Sequence, residues 1–175
     1  MSRLGELQAK VDAFFTRTQD RHGDDMQCTT GCSDCCHVRL TITTVEALAI
    51  WEHLQGLSAP DREVIATAAQ QAAPAHCSAL GPDGRCRIYA VRPIVCRSHG
   101  APIRMRRDSL PVVESCFRNF THTTPEPDCV LDQETLSAMT LVVDRDAGGD
   151  GERVDLAGVL VGEIGFDVDD EPADE

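Results

Sequence analysis

At 175 residues, 42% of them hydrophobic, the chain suits one domain with an extension and is long enough to bury a modest core. Its net charge of −13 argues against nonspecific binding to nucleic acid or anionic membranes, and no run approaches the roughly 20 apolar residues of a membrane span. The first residues lack the apolar run of a signal peptide, so the expected location is the cytoplasm. There thiols stay reduced, and nine cysteines, an odd number, read as metal-binding or redox-active and not as a disulfide framework.

Residues 3–20 have the spacing of an amphipathic helix, with Leu4, Leu7, Val11, Phe14 and Phe15 on its apolar side and His22-Gly23-Asp24-Asp25 ending it. Cys28, Cys32, Cys35, Cys36 and His37 follow within ten residues. That density suits a loop aiming several thiolates at one point, as a metal or an iron–sulfur cluster requires. Adjacent side chains diverge, so Cys35 and Cys36 are expected to point apart and to serve different metals, or one of them another purpose.

Thr43 and Glu46 fit a capping box opening a helix through about Leu54. Ser58-Ala59-Pro60-Asp61 opens another, running to about Ala73 before Pro74. The second cysteine block runs from Cys77 to Gly100. In it Gly81-Pro82-Asp83-Gly84 is a tight-turn sequence that folds Cys77 and Cys86 toward each other. Arg85 to Ala90 suits one helical turn, halted by Pro93. Residues 101–115 suggest a hairpin turning at Asp108-Ser109, Asp132 caps a helix to about Val143, and Val154 to Ile164 suits one more short helix. The expected fold is mainly α: a small metal-stabilised helical domain with irregular Cys-rich loops and one short β-hairpin.

Residues 144–175 carry twelve acids and two arginines, and are expected to be an acidic, glycine-rich tail beyond a cysteine-cluster domain at 1–143. Asp144, Asp146, Asp150, Glu152 and Asp155 loosely follow a calcium-loop template, but with Gly148 at its fifth position. A solvated acidic linker is the expected reading.

Thiolates favour zinc, copper(I) or iron–sulfur clusters over calcium or magnesium. The candidate ligands are Cys28, Cys32, Cys35, Cys36, Cys77, Cys86, Cys96 and Cys116, enough for two four-sulfur sites or one polynuclear centre, with Cys129 left over. His99, three residues after Cys96, is a further candidate ligand, and His37 is a candidate ligand or a donor to one. Seven arginines and no acids lie between Arg85 and Arg107. Arg92 and Arg97 are expected to offset thiolate charge, with Arg104, Arg106 and Arg107 on a solvated face.

Cys28-x3-Cys32-x2-Cys35-Cys36, followed by Cys77 and then Asp83-Gly84-Arg85-Cys86-Arg87-Ile88-Tyr89-x2-Arg92-Pro93-x2-Cys96-Arg97, resembles the YkgJ-type cysteine-cluster family. Its members carry a CxxCxxCC motif and are described as zinc- or iron-chelating domains. The resemblance covers roughly residues 28–120 and extends through His99-Gly100 and Cys116-x2-Asn119-Phe120. This chain departs from the motif in having three residues, not two, between Cys28 and Cys32. The resemblance implies chelation of zinc or iron, with an iron–sulfur cluster as one form of the latter. A related cluster in flagellin lysine methylases supplies the alternative: an iron–sulfur enzyme or electron-transfer component in peptide or protein modification. No phosphate loop, dinucleotide fingerprint, HExxH or GxSxG accompanies the cysteines.

Overall fold

The first helix, α1 (Arg3–Arg21), begins where the Ser2 hydroxyl accepts the Gly5 N–H at 3.1 Å, covering a donor the helix leaves free. Leu4, Leu7 and Val11 are buried, as their spacing predicts, whereas Phe14 and Phe15 are half-buried. In this computed structural model residues 2–166 are described. Among these residues, six α-helices and a few short strands make the fold mainly α.

Strand β1 (Thr41–Thr43) leads into α2 (Thr44–Gln55), and a turn leads on to α3 (Ala59–Gln70), capped by Ser58. Helix α3 stops three residues short of its expected end. A short helix, α4 (Ile94–Ser98), lies near the end of the second cysteine block and carries Cys96. The expected hairpin is present as β2 (Ile103–Arg107) and β3 (Leu110–Glu114), with Met105 opposite Val112. Asp108 and Ser109 both take positive φ (50° and 68°), the pattern of a two-residue turn that matches strand twist. Strand β4 (Leu131–Asp132) joins β2 in parallel and hands the chain to α5 (Gln133–Asp146), whose first turn is capped by Asp132 accepting the Thr135 N–H at 2.8 Å.

The short helix expected within Val154 to Ile164 is present, but the stretch from Asp144 is not a solvated linker. Strand β5 (Arg153–Asp155) pairs antiparallel with β1, Val154 opposite Ile42, and leads into α6 (Leu156–Val161). Leu156, Val159 and Leu160 of α6 complete the main core with Ile42, Ala47, Ile50, Ile65, Cys77, Ala79 and Ile88. What the sequence reading did not place is the packing of this helix in the main core, since its neighbours in the chain are mostly acids and glycines. Asp144 is fully buried: one oxygen accepts the Val45 N–H at 2.8 Å at the start of α2, the other the Gly151 N–H at 3.2 Å. Its carboxylate is thus spent on backbone donors, and residues 167–175 of the expected tail lie outside the described residues. A second, smaller core joins α1 to Ile94 of α4, with Val45, Ala49, Leu136 and Val143 packed against it.

Candidate metal centre

Four segments bring their cysteines together. The first runs from Met26, whose burial anchors it, to His37. Thr29 accepts the Cys32 N–H at 3.0 Å with Gly31 at φ 93°, a turn that returns Cys32 toward Cys28. Asp34–Cys36 form a single 3₁₀ turn.

In that turn Cys35 and Cys36 do not point apart as expected. Neighbours on a 3₁₀ turn are only about 120° apart round its axis, which leaves the two thiols near enough to act on each other's ionisation. The interaction with Cys36 lowers the Cys35 pKa, and the interaction with Cys35 raises that of Cys36, which burial raises further.

The second segment is tied directly to the first: the Cys77 N–H donates to the Cys36 carbonyl at 2.7 Å. The chain then folds back as its turn residues predict, with Leu80 bridged to Cys86, Arg87 N–H on the Ala79 carbonyl at 2.8 Å and Gly84 at φ 73°. Burial raises both thiols, while backbone N–H groups of Ala79 and Leu80 at Cys77, and of Ile88 at Cys86, pull the other way by favouring the thiolate.

The third segment is α4. Glu46, almost fully buried, accepts the Thr43 N–H at 3.0 Å and its hydroxyl at 2.8 Å through one oxygen, and the Ile94 N–H at 2.8 Å through the other. The residue that caps α2 therefore also fixes the start of α4, two residues before Cys96. Burial, then the charges of Cys77, Cys86 and Cys35, pushes Cys96 up to about 12.

The fourth segment follows β3 and carries Cys116. Here sequence reasoning missed a central residue. Asn119, 3% exposed, accepts the Gln27 N–H at 2.8 Å and donates to the Gly100 carbonyl at 2.7 Å and the Cys28 sulfur at 3.3 Å. Its own N–H holds the Cys116 carbonyl at 2.8 Å. Gly100, at φ 96°, lies so close that a Cβ there would stand 2.5 Å from the Cys28 sulfur. The only signal in the sequence was the Cys116-x2-Asn119 spacing.

The thiols form two charge-coupled sets that share Cys35. The thiolates of Cys116, Cys32 and Cys35 act on Cys28; those of Cys35, Cys77 and Cys86 act on Cys36 and Cys96. All nine cysteines are free thiols, and among the described residues no three sulfurs of the cluster come within 4.8 Å of one another. Eight soft donors, with N–H groups aimed at Cys28, Cys77 and Cys86, fit zinc or iron in donor chemistry.

The arginines are arranged otherwise than by rank in the motif. Arg92 and Arg97 both pair with Asp12 of α1, and Arg97 also donates to the Arg92 and Ala90 carbonyls at 2.9 and 2.8 Å. Arg92 additionally pulls the Cys86 pKa down. Arg118, which sequence reasoning passed over, pairs with Asp34 and lies within the field of Cys32 and Cys116. Arg104, Arg106 and Arg107 pair with Asp132, Glu134 and Glu114.

His99 is exposed and lines an open cleft of about 550 Å³ between α4, the hairpin and α5, which Cys116 also lines. His37 is exposed and stacks edge-on to His76, ring centroids 4.6 Å apart. Cys129 is buried outside the cluster, beside His22 and Glu126.

The family model for CxxCxxCC, a putative zinc- or iron-chelating domain, matches residues 27–129. The chain belongs to the CxxCxxCC family. The CxxCxxCC match takes in all nine cysteines and both halves of the cluster, including Asn119 and Gly100. No curated protein and no solved structure matches the chain. Among the described residues no helix is long and apolar enough to cross a membrane.

Proposed function

We propose that this CxxCxxCC protein chelates zinc or iron through Cys28, Cys32, Cys35, Cys36, Cys77, Cys86, Cys96 and Cys116. The observation that carries this reading is the convergence of eight free thiols from four segments into two charge-coupled sets joined at Cys35. Thiolates so close repel one another, and burial opposes their ionisation; a bound cation supplies the positive charge that offsets both.

The chain's own groups prepare the sulfurs for that role. Asn119 fixes Cys28, the Ala79, Leu80 and Ile88 N–H groups favour thiolates at Cys77 and Cys86, and Glu46 holds the helix that presents Cys96. Arg118 and Arg92 contribute positive charge at the two ends of the cluster. Arg97 acts through position: it ties the Cys96 helix to α1 by way of Asp12. His99 stands ready as a nitrogen donor on the cleft side.

Metal and sulfide analysis of anaerobically purified protein tests the reading. Cys96→Ser should lower metal content although the Cys28–Cys36 motif is intact. Unchanged content in a folded Cys96→Ser protein would refute a cluster spanning both blocks.

The cleft beside Cys116 and His99 favours a second reading, an iron–sulfur enzyme or electron-transfer component acting in peptide or protein modification. It requires protein that is brown and contains sulfide. Colourless, zinc-loaded, sulfide-free protein rejects it.

A further inference from the structure

The ninth cysteine lies in a separate donor set. Glu126, Pro127, Asp128 and Cys129 make one 3₁₀ turn, with the Cys129 N–H on the Glu126 carbonyl at 2.9 Å. Side chains three apart on such a turn eclipse one another, so Glu126 and Cys129 fall on the same side. That side faces His22, the residue that ends α1. One atom from each of His22, Glu126 and Cys129 lies within 4.8 Å of the other two.

His22 is held in place. Phe120 meets its ring edge-on at 5.2 Å, the Phe120 N–H donates to the Asp25 carbonyl at 2.9 Å, and His22 Nδ1 faces the Asp25 carboxylate at 3.9 Å. Nε2 is buried and has no hydrogen-bond partner. A carboxylate on one ring nitrogen and a free second nitrogen is the usual arrangement of a metal-binding imidazole. The Arg21 guanidinium lies against the same acceptors, 3.1 Å from Glu126 and 3.9 Å from the Cys129 sulfur, and it also pairs with Asp128. The place therefore draws positive charge, and Arg21 has a second partner in Asp128.

We propose that His22, Glu126 and Cys129 form a second, independent site for a zinc-class divalent cation. One nitrogen, one oxygen and one sulfur suit zinc, and three protein ligands leave a fourth position to solvent. Glu126 is exposed, so that position opens outward.

Zinc and cobalt titrations of the full chain test the site, comparing the parent with His22→Gln, Glu126→Gln, Cys129→Ser and Cys96→Ser, each checked by circular dichroism. The parent should bind one zinc more than His22→Gln, and Glu126→Gln should hold that ion at least about tenfold more weakly. Cobalt at the site should give a sulfur-to-cobalt band that Cys129→Ser removes. Because Cys129 is buried and its substitution risks the fold, His22→Gln carries the decision. Cys96→Ser must retain the extra ion, which separates this site from the cysteine cluster. Equal zinc stoichiometry and affinity in the parent and His22→Gln overturns the proposal, as does an extra ion without the sulfur band.

Discussion

At the scale of single residues, Asn119 shows how few polar contacts hold the cluster's frame. Its side chain satisfies a loop N–H, a carbonyl and a sulfur, all drawn from segments remote in sequence. Replacing it with alanine leaves the Gln27 N–H and the Gly100 carbonyl without their partners, at a cost of about 1–3 kcal/mol. Asn119→Ala should therefore lower the urea midpoint and weaken metal retention together. An unchanged metal affinity would limit its role to stability. None of this was legible from the residue alone, since an asparagine in a polar stretch has the pattern of a turn. The cysteines were legible because soft donors at that density have few other uses. Adjacent Cys35 and Cys36 show the limit of the same reasoning: adjacent side chains were expected to diverge, yet in the 3₁₀ turn the two thiols act on each other's ionisation.

Elements were read best where the signal was local. Capping residues at Ser58, Thr43 and Asp132, the Gly81–Gly84 turn and the hairpin at Asp108-Ser109 all stand where their chemistry places them. What local pattern conceals is the second use of a group. Glu46 completes a capping box for α2 and, with its other oxygen, supplies the acceptor for the first N–H of α4. Glu46→Ala should cost about 1–3 kcal/mol and loosen α4. Faster alkylation of Cys96, followed by mass spectrometry, would register that loosening, and an unchanged rate would show that Ile94 packing alone holds the helix. Asp144 is the same kind of case: its acidity placed it in a solvated linker, whereas its two oxygens bind the start of α2 to the turn after α5.

Across the whole molecule, two helical cores stand beside a cluster built almost entirely from loops and one five-residue helix. Metal removal should then act unevenly. Chelation should speed hydrogen exchange in residues 28–37 and 77–100 far more than in α1, α2 and α5, as read by mass spectrometry. Uniform exchange before and after would reject a structural role for the metal. The chelated protein should also fail at high pH. Burial raises the folded pKa of Cys77, Cys86 and Cys96, so the folded state keeps protons that the unfolded chain surrenders. Their contribution is whole below about pH 9, the ordinary thiol range, and is lost as pH rises toward about 12 for Cys96. Urea midpoints between pH 8 and 11 should fall for the chelated protein. A flat profile would show the thiols to be as accessible folded as unfolded.

The pairing of β1 with β5 and the packing of α6 on α2 and α3 have a consequence for synthesis. Cys28 through Cys96 leave the ribosome some sixty residues ahead of α6, which at about 5–20 residues per second is a delay of roughly 3–12 seconds. During that interval Cys77 lacks the helix that completes its burial, and seven thiols are open to oxidants. On the proposed reading, metal capture by the nascent chain would protect these thiols before burial does. Growth under metal limitation should accordingly raise the oxidised fraction of newly made protein more than that of mature protein.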